Sequence, residues 1–421
     1  MIRHRRLVRL LLLPSVALLA CGEPFLPGAP DATTTLDGPI DGLSPTQVAT
    51  HLRGDGEFAR RFAATDGLGP LFVATSCESC HVGDGKGHPL FDITRFGRRT
   101  ANGFDGMAAD GGPQLQNRAI LGFAAERIPP GATATARFMA PSVTGLGYLE
   151  ALEDATILAH ADPNDANGDG VSGRPSLVDS TDFIADLVSV SDVAAGAAQT
   201  RHQPHQGKYV GRFGKKARTI NLLHQTVFAY SEDMGITTEH VPRDLYNRQT
   251  GSQATDGVAD PEAAASVVDA VVFYLRTLRP PPRRNADDAA VREGEQLFSQ
   301  IGCAACHFPT LRAGVSDIPQ VSGASFAPYT DLLLHDMGPE LDDGYTEGDA
   351  APSEWRTAPL WGVGLAERAQ GGGAHYLHDG RATTLRDAIR LHGGEGGRSR
   401  TAFDRLPPSQ QERLLAFLRS L

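Results

Sequence analysis

The pattern of apolar and polar residues divides the chain into a leader and two unequal globular parts. Arginines precede an apolar run from Leu10 to Ala20, which is too short to span a bilayer as a mature helix and is typical of a secretory signal. A stretch rich in Gly, Pro, Asp and Thr follows and offers little to bury. We therefore interpret residues 1–20 as a signal peptide and residues 21–43 as a tether, and expect folding to begin at Ser44.

Two amphipathic helices with similar endings mark the carboxyl ends of the two parts. Apolar residues at helical spacing predict helices over residues 261–278 and 408–421, which end in Tyr-Leu-Arg-Thr-Leu and Phe-Leu-Arg-Ser-Leu. Between them, residues 279–284 spell Arg-Pro-Pro-Pro-Arg-Arg, which cannot be helical and predicts a stiff linker. We therefore place one domain at residues 44–280 and a second at residues 285–421.

The first part is longer than the second because of an insertion at about residues 91–201. This segment is rich in Gly, Pro and Ala with weak periodicity, so we expect loops and short helices. Within it, the spacing of Asp165, Asn167 and Asp169 before a glycine is similar to the first half of a calcium loop. Position twelve of such a loop is Ser176 and not a glutamate, so a bound calcium and a plain Asx-rich turn are both open interpretations.

The candidate chemistry lies in two copies of the motif Cys-x-x-Cys-His. They consist of Cys77, Cys80 and His81 in the first part, and of Cys303, Cys306 and His307 in the second. This spacing lets two thiols form thioethers with one haem while the next imidazole binds the iron. Zinc is the alternative, but it requires further ligands near each pair, and no cysteine remains to supply them. We predict two covalently bound haem c groups with His81 and His307 as proximal ligands.

The fifth cysteine, Cys21, follows the apolar run in a Leu-Leu-Ala-Cys-Gly sequence that resembles the bacterial lipoprotein box. An ordinary signal peptide followed by a chance cysteine is the alternative. Because the other four cysteines lie in the haem motifs, no structural disulfide is expected. We predict that Cys21 is lipidated and that the protein is periplasmic. We expect the lipid alone to anchor it to a bacterial membrane, the outer one.

The charge balance narrows the class of partner. Loss of residues 1–20 would remove four arginines and no acidic residue, leaving 35 basic against 50 acidic residues and changing the formal net charge from −11 to −15. This acidity argues against nucleic acid or an anionic membrane surface as a partner. It suits a basic redox partner, such as a small protein that donates electrons, and it equally suits simple solubility.

An apolar pair precedes each haem motif at the same spacing. Four residues separate the pair Leu71 and Phe72 from Cys77, and four residues separate the pair Leu297 and Phe298 from Cys303. We predict that each pair belongs to a helix that packs against its haem and then turns into the binding motif.

The second part offers a sixth ligand for its iron. Residues at i, i+3, i+4 and i+7 form an apolar helical face that ends in an imidazole: Leu385, Ala388, Ile389 and His392. Thr384 and Asp387 fit an N-terminal capping pattern for this helix. We predict His392 as the sixth ligand. The alternatives are a histidine that merely favours the helix dipole, or ligation by Met337 or His335.

Several segments resemble known di-haem proteins. Residues 376–385 are similar to the Y-F-H-D-G-x-x-x-T-L segment of the bacterial di-haem cytochrome c peroxidases and of the related enzyme that matures methylamine dehydrogenase. In those proteins a Met or Tyr aligns with His392, so a histidine there departs from the pattern. Closer similarity is to the di-haem oxidoreductases of peroxidase or thiol oxidoreductase description, in five blocks: residues 211–217, 233–237, 335–338, 354–361 and 392–395. The resemblance runs from about Gly69 to the C-terminus and implies a mainly α fold with two cytochrome c-type haem domains.

The first haem has no equally clear sixth ligand. The candidates in its own part are His88, His224, Met234 and His240, none of them on a comparable apolar face. The resemblance to the peroxidases implies that Gln225 and Asp233 take the places of a distal glutamine and of the distal acid, which moves protons during O–O cleavage. Alternatively, Asp233 only caps a turn, or Met234 binds the iron and closes it.

These observations predict a di-haem cytochrome in which the second haem passes electrons to a first haem that reduces a small oxidant such as hydrogen peroxide. One alternative is an electron carrier with both irons six-coordinate. Another is an iron-handling or partner-binding lipoprotein. Thiol exchange is disfavoured because no thiol remains free apart from that of Cys21, which is predicted to be lipidated. Trp355 and Trp361 are expected to pack or to relay electrons, and Arg356 to pair with a haem propionate.

Overall fold

The computed structural model describes residues 36–181, 183–188 and 202–421. The predicted signal peptide, Cys21 and most of the predicted tether lie outside these ranges. The described residues cluster as one compact unit. Within the three described ranges, no helix combines the length and the apolar character that crossing a membrane requires.

Helices hold more of the described residues than strands do, and most elements are short. The helices are α1 (Pro45–Ala59), α2 (Leu146–Glu150), α3 (Asp154–Leu158), α4 (residues 183–188), α5 (Leu222–Phe228), α6 (Ala265–Thr277), α7 (Ala289–Gln300), α8 (Ala366–Ala369), α9 (Leu385–Arg390), α10 (Gly397–Arg405) and α11 (Pro408–Ser420). A π-helical turn, Ala229–Asp233, continues α5.

The strands form one three-stranded sheet and several two-stranded ribbons, all antiparallel. They are β1 (Leu71–Phe72), β2 (Ile93–Thr100), β3 (Gly103–Asp105), β4 (Arg118–Ala119), β5 (Ala134–Phe138), β6 (Leu177–Asp179), β7 (Lys208–Val210), β8 (Leu311–Arg312), β9 (Ser325–Phe326), β10 (Leu334–Asp336) and β11 (Glu354–Arg356). The sheet has the order β3-β2-β5, and the ribbons pair β1 with β4, β6 with β7, β8 with β9, and β10 with β11.

The same helix pair is built once on each side of the linker. Helix α1 packs on α6 and α7 packs on α11, and each pair crosses at a glycine. A Cβ on Gly54 would lie 2.1 Å from the carbonyl oxygen of Ala270, and a Cβ on Gly294 would lie 2.0 Å from that of Arg413. The absence of a side chain therefore lets the two backbones touch. The predicted helices over 261–278 and 408–421 are confirmed, and the first begins later than predicted, at Ala265.

The hydrophobic clusters do not follow the linker. The largest one joins residues of the first part, such as Val271 and Leu275, to Leu332 and Leu333 of the second. A smaller cluster belongs to the second part alone and includes Phe298 packed on Phe417. The linker itself is non-helical, as predicted. The division into two haem domains stays a prediction.

The prediction of a mainly α fold is only partly right, because the described structure is mixed. The insertion contains the predicted loops and short helices, among them α2 and α3, but it also carries the β3-β2-β5 sheet, which was not predicted. Strand β2 buries Arg95 as well as Phe96, so its sequence lacks the alternation of a half-buried strand. Strand β5 does alternate, but two of its three buried residues are alanines, which give a weak hydrophobic signal.

The apolar pairs before the two haem motifs adopt different structures. Leu297 and Phe298 lie in α7 as predicted. Leu71 and Phe72 instead form β1 and pair with β4, so the predicted helix is wrong there. Pro70 precedes them directly, and a proline removes the backbone donor that a helix interior needs.

Candidate functional site

One continuous cavity is lined by both Cys-x-x-Cys-His motifs. The volume of the cavity is about 470 Å³. The four cysteines Cys77, Cys80, Cys303 and Cys306 all line it, and their thiols are unpaired. Burial raises the pKa of three of these thiols, those of Cys77, Cys80 and Cys303, to about 12. The cavity therefore collects neutral thiols and imidazoles from distant parts of the chain.

Both motifs form the same hydrogen-bonded turn. The backbone N–H of His81 donates to the Cys77 carbonyl at 3.0 Å, and the N–H of His307 donates to the Cys303 carbonyl at 3.0 Å. Such a turn brings residues three apart to one face. Each pair of thiols and the following imidazole are therefore presented together to the cavity.

Both motif histidines are held in the tautomer that leaves Nε2 able to bind a metal. Nδ1 of His81 donates to the Pro141 carbonyl at 2.8 Å, and Nδ1 of His307 donates to the Tyr329 carbonyl at 2.9 Å. A carbonyl can only accept, so the proton is on Nδ1 and the lone pair is on Nε2. Burial lowers the pKa of each imidazole to about 4, which keeps both rings neutral.

His392 faces His307 in the cavity. Their ring centres are 6.4 Å apart and the planes are inclined by 49°. Two imidazoles that share one metal, each with a nitrogen about 2 Å from it, have ring centres about 6 Å apart. Nδ1 of His392 donates to the Ala388 carbonyl at 2.7 Å, which again leaves Nε2 free. The predicted cap is present, since the Thr384 side chain accepts from the Asp387 N–H.

His335 cannot act as the alternative ligand that its sequence position allowed. Its Nε2 lies 2.9 Å from Asp331 and its Nδ1 lies 2.7 Å from Glu395. Burial alone would lower its pKa, but its hydrogen bonds with Asp331, Cys306 and Glu395, together with the charge of Asp331, raise it to about 12. Both nitrogens are therefore protonated and engaged. Met337, the other alternative, does line the cavity.

Gln225 and Asp233, the predicted distal residues of the first haem, line the cavity together with His81. Helix α5 carries Gln225, whose Oε1 accepts from the Thr219 hydroxyl at 2.8 Å. Asp233 ends the π-helical turn, a feature that often marks functional sites. Burial raises the pKa of its carboxyl to about 6.

Of the predicted candidates for a sixth ligand at the first motif, only Met234 lines the cavity. Nδ1 of His88 accepts from the Leu90 N–H at 3.2 Å. His224 is buried in α5, and its Nδ1 accepts from the Ile220 N–H at 3.4 Å. His240 lies 3.6 Å from Glu239. The structure thus reduces four candidates to one.

A buried group of charges beside Asp233 was not predicted from the sequence. Glu232 accepts from Arg218 at 2.6 Å and from Arg95 at 3.2 Å. Burial alone would raise the pKa of Glu232, but the two arginines lower it to about 2. Gln114 donates to Asp233 at 2.7 Å and to the Glu232 carbonyl at 2.8 Å. Glu232 is adjacent to the predicted acid, whereas Arg95 and Gln114 come from the insertion, where no residue of this group was predicted.

The tryptophans pack. The His378 ring stacks on Trp355 with centres 3.7 Å apart and planes inclined by 8°. The Lys216 ammonium lies 3.9 Å from the centre of the same indole, whose N–H donates to the Leu341 carbonyl. Trp361 covers the backbone at Gly145, where a Cβ would lie 2.5 Å from the ring. These contacts fit the packing alternative for both residues.

The predicted calcium residues use their side chains within their own loop. Oδ1 of Asp165, Asn167 and Asp169 accept from the backbone N–H of Gly170, Asp169 and Val171 respectively. Groups of side-chain atoms close enough to share a metal do occur in the described ranges, but they consist of other residues: Cys306 with Asp331 and His335, and Asp244 with Asp256 and Glu262. The loop fits the Asx-turn alternative, and a bound calcium stays a prediction.

Among the comparisons with known proteins, the family model covers most of the chain. The family model described as "Di-haem oxidoreductase, putative peroxidase" matches residues 22–97 and 132–421. The match begins earlier than the resemblance seen from the motifs, and it leaves out residues 98–131, which include β3 and β4. No curated protein matches the chain.

Two solved structures show distant similarity, each at 14% sequence identity. A hydrazine synthase of Kuenenia stuttgartiensis matches over 98% of this chain and 100% of that chain, with a TM-score of 0.38. A MauG-like protein associated with microbial copper homeostasis matches over 59% of this chain and 92% of that chain, with a TM-score of 0.29. These TM-scores are too low to support a conclusion about fold or function.

Proposed function

Because the chain belongs to the di-haem oxidoreductase family, we propose that it is a c-type cytochrome in which a second haem passes electrons to a first haem that reduces a small oxidant such as hydrogen peroxide. The first haem is the one held by the motif at residues 77–81, and the second is the one held by the motif at residues 303–307. The two cofactors follow from the family, whereas their covalent attachment and the direction of electron flow are proposals.

The side chains that line the cavity fit two haem c groups. Each motif offers two thiols for thioether bonds and one neutral imidazole with a free Nε2. A bound haem supplies an iron that exchanges electrons and, at an open coordination position, binds a small oxidant. The carbonyls of Pro141 and Tyr329 orient the two proximal imidazoles and increase their basicity.

The single observation that carries the proposal is the contrast between the two imidazole environments. His392 opposes His307 at a distance that suits two ligands on the second iron, which favours an electron-transfer role. In the described residues the aromatic contact of His81 is with Phe58, at 6.0 Å between ring centres, and no second imidazole opposes it. This supports an open position at the first haem.

Asp233 is the group that we assign to proton transfer at the first haem. Reduction of a peroxide to water consumes protons, and heterolytic O–O cleavage needs one moved to the leaving oxygen. A carboxyl with a pKa near 6 exists in both forms close to neutral pH. The adjacent Glu232 stays ionised because Arg218 and Arg95 bind it, so it serves as a fixed charge.

A pure electron-transfer cytochrome is the second candidate, and the position of Met234 favours it. This residue is buried, follows Asp233 and lines the cavity. Its thioether on the first iron would leave both irons six-coordinate and exclude an oxidant. A methionine-to-iron charge-transfer band that disappears in Met234→Ala would support this candidate. A spectrum without such a band would exclude it.

The experiment that tests the proposed function is anaerobic mixing of the reduced full-length protein with hydrogen peroxide, followed by haem absorbance. We expect both haems to reoxidise at a rate that rises with peroxide concentration, because electrons leave through the first haem. Buffer treated with catalase provides the control. Haems that stay reduced in excess peroxide would contradict the proposal.

Location and partners are also proposed. We propose that lipidation of Cys21 anchors the protein in the periplasm, and that its electron donor is a small redox protein. The acidic net charge supports a donor with a basic surface. Membrane fractionation of the wild type and of Cys21→Ala tests the anchor, since the variant should appear in the soluble periplasmic fraction. Equal membrane retention of both would contradict it.

A further inference from the structure

Three basic side chains line the cavity without an acidic partner. They are Lys86, Lys215 and Arg356. Across the described residues, none of the three has a carboxylate oxygen within 4.0 Å of its side-chain nitrogens. Lys86 lies 5.6 Å from the centre of the Tyr376 ring. Burying a cation without an anion is costly.

The carboxylates that lie nearby already have partners. Asp92 lies 3.5 Å from Arg137, and Asp379 lies 2.8 Å from Arg381. Asp331 lies 2.9 Å from His335. Among the described residues, none of these carboxylates forms an ion pair with a cavity cation.

Backbone hydrogen bonds hold two of these cations side by side. The N–H of Arg356 donates to the Lys215 carbonyl at 3.1 Å, and its Nε donates to the Gly214 carbonyl at 2.9 Å. Burial and the charge of Arg356 lower the pKa of Lys215 to about 7, and burial lowers that of Arg356 to about 10. The fold thus brings two like charges together in a poorly solvated place, which an anion between them would stabilise.

The neighbouring lysine shows how different the role of Lys215 is. Lys216 is fully buried, and its ammonium donates to the carbonyls of Ala351, Pro352 and Glu354 at 2.9 to 3.0 Å. Its hydrogen-bonding capacity is filled by the protein. Lys215, one residue earlier in the same Gly-Lys-Lys sequence, projects into the cavity and has none of these bonds.

We propose that Lys215 and Arg356, together with Lys86, bind the propionate carboxylates of the first haem. A haem c attached through its vinyl groups carries its propionates at the opposite edge, and these are the anions that such a cofactor brings into the cavity. Guanidinium and ammonium groups bind carboxylates through charge-assisted hydrogen bonds. The inference rests on the haem attachment of the proposed function. After burial, Lys215 also helps to lower the pKa of His81, which associates it with the first haem.

The test measures the midpoint potentials of both haems by spectroelectrochemistry in the full-length holoprotein. A nearby cation favours the reduced haem, so Lys215→Met should lower the potential of the first haem and leave that of the second close to wild type. Arg356→Met should shift it in the same direction. Resonance Raman spectra of the same samples should show altered propionate bending bands.

Matched variants control for charge and folding. Lys208→Met removes an exposed lysine that pairs with Asp179 at 2.8 Å, and should change neither potential. Loss of the hydrogen bond to Gly214 could prevent Arg356→Met from assembling, and Arg356→Lys is then the variant to measure. It keeps the charge and should keep the potential of the first haem near wild type. Unchanged potentials and unchanged propionate bands in Lys215→Met would overturn the proposal.

The alternative ligand of these three cations is an anion from solution in place of a haem propionate. Titration of the wild type with inorganic phosphate against chloride at equal ionic strength separates the two sources. The proposal predicts no specific phosphate effect on the first haem. A phosphate-dependent spectrum that is lost in Lys215→Met would overturn it. Failure of the proposed function would be distinguishable from failure of this proposal. In that case the reduced haems of the wild type would survive peroxide, while the midpoint potentials of both haems could still be measured.

Discussion

The surroundings of His81 and of His307 begin alike and then diverge. Each imidazole follows the same turn and donates to a carbonyl. Opposite His307 lies a third imidazole, that of His392, which follows the end of the short capped helix α9 (Leu385–Arg390). The cavity around His81 instead has Gln225, a π-helical turn and a carboxyl with a raised pKa. Under the proposed function, both motifs attach a haem in the same way, and the residues on the opposite wall decide whether its iron transfers electrons or meets an oxidant.

His392→Ala would abolish the contrast between the two haems. Removing the second nitrogen ligand should convert the second haem from low spin to high spin completely, because among the described residues no other imidazole opposes His307. Electron paramagnetic resonance of the oxidised variant checks this. A second haem that stays low spin would identify Met337 as the ligand.

Asp233→Asn sharpens the contrast from the other side. Loss of a general acid–base group should slow peroxide reduction by about 10²- to 10⁴-fold while both haem spectra stay near wild type. Single-turnover mixing measures the rate. Asp404→Asn, which removes an exposed carboxylate that pairs with Arg390, is the matched control and should leave the rate unchanged. A wild-type rate in Asp233→Asn would remove this residue from the reaction.

The pH dependence should follow the same carboxyl. As a base, Asp233 works when deprotonated, and burial raises its pKa to about 6. The rate constant should therefore rise about tenfold per pH unit below that pKa and level off above it. The rising limb should vanish in Asp233→Asn. The rate should be measured from about one pH unit below that pKa to about two units above it, roughly from pH 5 to pH 8. A wild-type rate that does not change over this range would contradict the assignment.

The smallest expected effects concern the helix pairs that the two parts share. Gly54→Ala and Gly294→Ala place a methyl against a backbone carbonyl and should each destabilise the protein by about 1 to 3 kcal/mol. Gly56→Ala is the control, because a Cβ there meets nothing within 4 Å. It should stabilise α1 by about 0.5 to 1 kcal/mol. Denaturant unfolding measures all three, and equal values for Gly54→Ala and Gly56→Ala would contradict the close helix crossing.

The parts that could be predicted from the sequence are those encoded locally. The two motifs, the helix that places His392 and the helices around residues 265–277 and 408–420 each follow from spacing within a few turns. The wall beside Asp233 depends on Gln114 and Arg95, which are 119 and 137 residues away from their partners Asp233 and Glu232. No periodicity links such residues, and strand β2, which carries Arg95, lacks the alternation that would have revealed it. His335 shows the same limit, since Glu395, 60 residues later, removes it as a ligand.

The most direct test of the account is low-temperature electron paramagnetic resonance of the oxidised and half-reduced wild-type protein, with and without cyanide. The account predicts one low-spin haem that ignores cyanide, from the His307 and His392 pair, and one haem whose signal changes when cyanide binds. Two low-spin haems that are both unaffected by cyanide in either redox state would contradict it.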